Sequence, residues 1–182
     1  MKCRSSFALT IAFLVGLAGP TEACTSPRPV SLQNILSADL IIFGSYVSSS
    51  VQTIPSAFDA DRIEEVWTVR FEVARTFLGE NQSEVDFHLV DNYGFSGYRF
   101  RVGSTYIVAL REASNGTYTT QLGAIGEPLP VVMANNCGNY VFGGEGRRGL
   151  MQEFVMEMFD GDGDPAEEAA VFDRFLRGSG LY

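Results

Sequence analysis

The sequence contains few residues of the types that build metal sites and catalytic centres. Its 182 residues include only three cysteines, one histidine and one tryptophan. A closed structural zinc site takes four ligands, and the cysteines left after the cleavage described below, with one histidine, are too few. A catalytic or metal role for His88 also lacks a second histidine as a partner, and no Gly-x-Ser-x-Gly motif occurs. The residue types present therefore favour a protein that binds rather than an enzyme, and they indicate no cofactor.

Long apolar runs are also scarce, and the one that occurs lies at the N-terminus. Lys2 and Arg4 precede an apolar stretch over Phe7–Ala18, which a Gly-Pro pair then ends. A transmembrane helix needs about 20 consecutive apolar residues, so this stretch is too short to span a bilayer. The arrangement is typical of a cleavable secretion signal. We therefore expect residues 1–23 to be a signal peptide.

Cleavage after Ala23 would leave Cys24 as the first residue, with a free α-amino group. Thr21 and Ala23 are the small residues that a cleavage site needs three and one positions before the cut. A bacterial lipoprotein would also begin at a cysteine, but with a leucine-like residue in place of Thr21 and a small residue in place of Glu22. We therefore expect a secreted or periplasmic chain, with lipid anchoring as the weaker alternative.

Export bears on the two cysteines that remain, Cys24 and Cys137. Two thiols in an exported domain of this size usually pair, because the compartment is oxidising. Their bond would close a loop of more than one hundred residues. The chain-entropy model gives such a loop about 4 to 5 kcal/mol of stabilisation. We therefore expect a Cys24–Cys137 disulfide.

Basic side chains are also few in this sequence. The chain has 13 basic and 22 acidic side chains, giving a net charge of −9. Loss of the signal peptide makes the charge more negative by one unit. An acidic surface disfavours nucleic acids and anionic membranes as partners. A protein partner is the remaining expectation, and the sequence gives no oligomeric state.

Five short segments carry the alternation or β-branched content of strands, and no helical pattern separates consecutive ones. This organisation predicts an antiparallel barrel or sandwich in a single domain. We expect a polar loop from Ser48 to about Arg62, and we place His88 on the solvated face of its strand. The predicted strands are Leu40–Val47, Val66–Arg75, Val85–Val90, Thr105–Leu110 and Thr117–Thr120.

Helical patterns occur only at the two ends of the mature chain. Ser31 can cap a short helix that runs through Leu36. Apolar residues at helical spacing over Leu150–Met158 predict a second helix. Asp164 followed by Pro165 has the form of a helix cap with a first-turn proline, which predicts a third helix.

Four stretches, in their order and spacing, are similar to one known family. The mature chain resembles the netrin-like OB-fold modules, of which the tissue inhibitors of metalloproteinases are the best-known members. The resemblance implies a mainly β fold: a five-stranded OB-fold barrel with a short N-terminal helix and two C-terminal helices. It implies a domain over residues 24–145 and a helical tail over 146–182. The stretches are Cys24–Pro27, Ala38–Gly44, Val69–Val73 and Phe100–Ala109.

The resemblance also implies a mode of action. In those inhibitors the amine and carbonyl of the terminal cysteine chelate the catalytic zinc of a metalloproteinase, and the next side chain enters the specificity pocket. Carried over, Cys24 is the chelator, Thr25 the pocket residue and Cys137 the disulfide partner. Ser26 departs from the family, which has a second cysteine there. The alternative is a structural or envelope-associated domain in which Cys24 is only a disulfide staple.

Overall fold

A β-sheet that closes on itself organises the chain. The computed structural model describes residues 31–56, 61–91, 100–115, 122, 126, 129–135, 138–143 and 147–178. The fold is mainly β, with 47% strand, and contains a closed five-stranded barrel and three helices within these residues. This confirms the OB-fold-like barrel with short helices that the sequence predicts.

The first strands of the chain are long, and the last ones are short. The helices are α1 (Leu32–Ile35), α2 (Arg147–Asp160) and α3 (Pro165–Gly178), and a short 3-10 turn covers Ala113–Asn115. The strands are β1 (Leu40–Pro55), β2 (Ile63–Leu78), β3 (Glu84–Asp91), β4 (Thr105–Arg111), β5 (Val131–Val132), β6 (Ala134–Asn135), β7 (Gly138–Asn139) and β8 (Val141–Gly143).

The barrel closes because β1 pairs on both of its edges. The strand order is β1-β2-β3-β5-β4, and β4 pairs again with β1. Only the β3–β5 pairing is parallel among these contacts. Strand β8 pairs with β4 over Tyr106–Val108, on the edge where β5 pairs farther along, while β6 and β7 form a separate small hairpin. Since β1 contacts β4 only over Leu40–Ser45, the rest of β1 extends beyond the closed part of the barrel.

The prediction of a loop from Ser48 to about Arg62 is wrong over most of that segment. Strand β1 continues to Pro55 and β2 begins at Ile63, and the two pair from Ser48↔Arg70 to Pro55↔Ile63. Serine and threonine side chains do not prevent this pairing, because the backbone makes the hydrogen bonds. The segment resembles a loop in sequence because residues 47–53 are all exposed, so neither face needs apolar side chains.

The fifth barrel strand differs from the predicted one. The segment Thr117–Thr120 lies outside the described residues, and β5 completes the barrel instead. It follows Pro130 and has only two residues. A strand this short cannot show the alternation of apolar and polar residues that predicts a strand. Its place is fixed by tertiary pairing, with His88↔Val131 on one side and Leu110↔Val132 on the other.

The barrel interior is filled largely by aromatic rings around Phe71. This ring lies 5.2 Å from Phe87, 5.3 Å from Phe100 and 6.0 Å from Tyr106, measured between centroids. The rings meet at steep angles, as aromatic pairs prefer. Apolar strand residues complete this core: Leu40, Ile42, Val69, Val85, Leu89, Val108, Leu110, Val132 and Val141.

A second core joins the helices to the outside of the barrel. Apolar residues of α1, α2 and α3 pack there against the outward-facing residues of β1, β4 and β8. Asp164 caps α3 as predicted, because its Oδ1 accepts a hydrogen bond from the Ala166 backbone at 3.0 Å. None of the helices in the described part of the chain is long and apolar enough to cross a membrane. The buried residues are Leu32, Ile35, Ala38, Ile41, Ile107, Ala109, Met133, Tyr140, Phe142, Met151, Val155, Met158 and Ala169.

Gly44 permits the close approach of strands where β1 is paired on both sides. A Cβ at this position would overlap the backbone carbonyl of Glu72. Gly44→Ala should therefore lower the free energy of unfolding by about 1–3 kcal/mol, the usual cost of overpacking. Urea titration followed by circular dichroism measures this loss. Ser50→Ala, on the exposed part of β1, is the control and should change stability by less than about 0.5 kcal/mol. A Gly44→Ala protein as stable as the original contradicts the close approach.

Candidate functional site

The first described residues are held by a buried carboxylate from the other end of the chain. Asp173 of α3 is only 2% exposed. Its Oδ1 accepts a hydrogen bond from the backbone N–H of Leu32 at 2.9 Å, and its Oδ2 accepts one from Gln33 at 3.2 Å. Ser31 Oγ also donates to Oδ2. Ser31 occupies the N-cap position, as predicted, but its side chain does not cap the helix; Asp173 supplies the acceptor instead.

A second contact joins α1 to the segment after β7. Asn34 Nδ2 donates a hydrogen bond of 3.2 Å to the hydroxyl of Tyr140. Tyr140 is buried and its backbone N–H bonds to the carbonyl of Met133 at 2.8 Å. The helix that follows the N-terminal segment is therefore fixed at two places, by α3 and by the region between β5 and β8.

The structure does not describe the residues predicted to carry the function. Cys24 and Thr25 precede the first described residue, and Cys137 falls between β6 and β7, outside the described residues. Asn34, ten residues after Cys24, contacts Tyr140, three residues after Cys137. The Cys24–Cys137 disulfide stays a prediction.

Beyond the barrel, β1 and β2 form an arm that exposes apolar side chains. We call Val47–Pro55 and Ile63–Trp67 the distal hairpin. Val51 and Trp67 lie directly opposite each other, and both are more than one-third exposed. Ile63, opposite Pro55, is 70% exposed. Along β2, Ile63 and Trp67 lie on the same face as Val69 and Phe71, which point into the barrel. The face that lines the barrel therefore continues beyond it, where its side chains are exposed.

His88 is buried, and the prediction of a solvated side chain is wrong. It is 4% exposed, and β5 pairs with β3 at this residue, opposite Val131. Its backbone N–H donates to Pro130 O at 2.7 Å, and its Nδ1 lies 3.2 Å from Thr68 Oγ1. Among the described residues, none is a hydrogen-bond partner of Nε2. Burial lowers the pKa of His88 below its ordinary value of 6.5, so the neutral imidazole is favoured.

Near the end of the distal hairpin lies a buried carboxylate that the sequence does not predict. Glu64 is buried on the same face as Val66, beside the small apolar cluster of Ile54, Val90 and Leu122. Its Oε1 accepts a 2.6 Å hydrogen bond from Ser56 Oγ, while Oε2 has no hydrogen-bond partner in the described part of the chain. No sequence signal marked it, because Glu64 follows an exposed turn and precedes another glutamate.

A shallow pocket lies on the outer face of β2 and β3, where many OB folds bind nucleic acid. Its volume is about 340 Å³, and Arg70, Glu84, Asp86 and Pro130 are among its lining residues. Arg70 makes two hydrogen bonds to Asp86, at 2.7 and 2.6 Å. This pairing raises the pKa of Arg70 and lowers that of Asp86. The arginine charge is thus neutralised on the strand, and the pocket offers no cluster of cations for phosphates.

The described residues contain no group of three or more His, Cys, Asp or Glu side chains arranged to hold a metal ion. Two of the buried polar residues, Glu64 and His88, lie near β2 but at separate positions, since Glu64 pairs with Ile54 and His88 pairs with Thr68. Comparison of the sequence with protein-family models and with curated proteins gives no match. The netrin-like relationship therefore stays a prediction from the residues quoted above.

The Asp173 anchor predicts a specific loss of stability. Asp173→Ala removes the acceptor for Leu32 and Gln33 and should lower the free energy of unfolding by about 1.5–3 kcal/mol, as for hydrogen bonds to charged groups. Asp173→Asn keeps one acceptor oxygen and should lose less. Asp162→Ala, on the exposed turn before α3, serves as control in the same urea titrations. Equal stability of Asp173→Ala and Asp162→Ala would show that the anchor contributes nothing.

The buried state of His88 predicts a dependence of stability on pH. Because its pKa is lower in the folded state than the unfolded value of about 6.5, the unfolded chain binds more protons near neutrality. The free energy of unfolding should therefore be highest above pH 6.5 and fall as pH decreases through 6.5. Urea titrations between pH 7.5 and 5 measure the slope. His88→Asn removes the only histidine and should flatten it; an unchanged slope in that variant contradicts the assignment.

Proposed function

We propose that this chain is an exported protein-binding module that inhibits a zinc metalloproteinase through its N-terminus. The observation that carries the proposal is the junction of α1 with Asp173 and Tyr140. It fixes the start of the described chain against both the helical tail and the region next to Cys137. A terminus presented from a fixed platform loses less conformational freedom on binding than a loose one.

The chemistry needed is modest. A catalytic zinc keeps one coordination position for water or substrate, and a neutral amine with an adjacent carbonyl can take that position. The α-amino group has an ordinary pKa of about 7.7–8.0, so an appreciable neutral fraction exists near neutral pH. In the proposed complex Cys24 provides both ligand atoms, and Thr25 extends into the pocket beside the metal.

Position 26 lacks the second cysteine of the family. In the inhibitors of the family a further disulfide holds the terminal segment, whereas Ser26 cannot form one. Here Ser31, Leu32 and Gln33 make three hydrogen bonds to Asp173. We propose that this noncovalent anchor, together with the Cys24–Cys137 bond, holds the inhibitory edge.

The same contacts also favour a second candidate function. If Cys24 only staples the terminus to the barrel, the chain is a structural or envelope-associated domain, and the junction of α1 serves stability alone. The two candidates differ in one requirement. Inhibition needs a free, unmodified α-amine at Cys24, whereas a staple needs only the sulfur.

Extension of the N-terminus separates the two candidates. Mass spectrometry of the exported chain first establishes whether it begins at an unmodified Cys24; another start or a lipidated cysteine rules out chelation. One alanine added before Cys24 should then weaken inhibition of a panel of zinc metalloproteinases on the order of a hundredfold, about 2.7 kcal/mol. One alanine added after Tyr182 is the matched control. Equal inhibition by both extended chains would refute chelation, and no inhibition by any form favours the structural domain.

A further inference from the structure

The distal part of β1 is a free sheet edge. From Leu40 to Ser45 the strand lies between β2 and β4. Tyr46 still donates its backbone N–H to Ser104 O at 3.3 Å. Beyond it, β1 pairs only with β2, and no other strand of the described chain pairs with Val47–Pro55. Residues 47–53 are all exposed, so one row of backbone donors and acceptors faces solvent.

This edge has little of the protection that free edges usually carry. Native sheets guard their edges with charged side chains, prolines or bulges, because an open edge is a template for another strand. Here a register shift marks a bulge at Val47, and a proline stands only at the far end, Pro55. Between them the sequence is Ser-Ser-Ser-Val-Gln-Thr-Ile, without a single charge. The edge is therefore regular, β-competent and unguarded over seven residues.

The charge distribution indicates which strand fits this edge. The whole chain carries a net charge of −9, so two copies repel each other across most approaches. The distal edge is an uncharged stretch where two copies can come together without placing like charges opposite each other. An antiparallel pair of identical strands is also two-fold symmetric, which gives a closed dimer rather than an open chain of copies.

We propose that two copies of this chain pair through the distal edges of β1, centred on Val51. Val51 is the midpoint of Val47–Pro55, so pairing about it uses the whole free edge. Val51 of one copy then lies opposite Val51 of the second copy. Because Val51 pairs with Trp67 within each hairpin, a row of Trp, Val, Val and Trp crosses four strands on one face. The half-exposed apolar side chains of the distal hairpin become neighbours in a continuous sheet.

Charge substitutions at the centre test the register directly. Val51 is 49% exposed, so Val51→Lys and Val51→Glu should both fold. Each variant alone places two like charges opposite each other and should be monomeric. An equimolar mixture should recover dimers, because lysine then faces glutamate across the two-fold axis. Val171→Lys, at a valine of helix α3 that is 55% exposed, is the matched control and should dimerise like the original chain.

Sedimentation equilibrium of the full mature chain from micromolar to submillimolar concentration measures the mass. A concentration-dependent shift from monomer to dimer is the expected result, with an increase of about tenfold or more in Kd for each Val51 variant alone. A wild-type chain that stays monomeric overturns the proposal. This holds even if its β1 edge binds an unrelated extended peptide. Dimers that persist in Val51→Lys, or a mixture that fails to recover, overturn the symmetric pairing.

A second readout covers the case in which a variant does not fold. Trp67 is the only tryptophan and lies next to Val51, so its emission should shift to shorter wavelength as the wild-type concentration rises. Emission that does not change with concentration counts against the dimer. The inhibition proposed above uses the N-terminus, which precedes α1 and the Leu40 end of β1. Monomeric Val51 variants should keep it, and its failure would leave the dimer unaffected.

Discussion

The pairing of β1 with two neighbours over Leu40–Ser45 is the constraint on which the rest of the structure depends. It closes the sheet, and closure removes the edges of the barrel that would otherwise need protection. It also determines which part of β1 lies outside the closed barrel. Because β4 ends its contact with β1 at Ser45, the remaining ten residues of β1 pair with β2 alone among the described strands. The aromatic core and the distal hairpin are two results of the same pairing.

The sequence predicts the barrel well where burial is one-sided. In β2 the alternation of Val69 and Phe71 with Arg70 and Glu72 follows the inner and outer faces of the barrel, and the prediction of that strand is right. The prediction fails where burial departs from this rule. Neither face of β1 is buried over residues 47–53, so its polar composition resembles a loop. Residues 87–90 of β3 are all buried, so His88 lacks the solvated face that alternation implies.

The proposed site is less accessible to sequence reasoning than the fold. The cysteines and the secretion signal can be recognised from residue types alone, and they direct attention to Cys24. The residues that fix the neighbouring helix cannot. Asp173 lies four residues after buried Ala169, on the apolar face of α3, unlike the exposed Glu167, but this position does not show which residues it binds. Its role depends on a contact across almost the whole chain, which only the packing of α1 against α3 creates. Tyr140 is similar, since its hydroxyl partner lies 106 residues away.

The separation of those partners has a consequence for the order in which the molecule assembles. The bond between Leu32 and Asp173 spans 141 residues, which makes it one of the most nonlocal contacts in the fold, and such contacts form late because loop closure costs entropy. Synthesis proceeds from the N-terminus, so the donors of α1 are made first and their acceptor nearly last. A helix of four residues cannot persist alone in the meantime. The N-terminal helix is therefore completed only after the end of the chain has been made, and a truncated product lacking α3 would have a complete barrel sequence but would lack the Asp173 anchor of that helix.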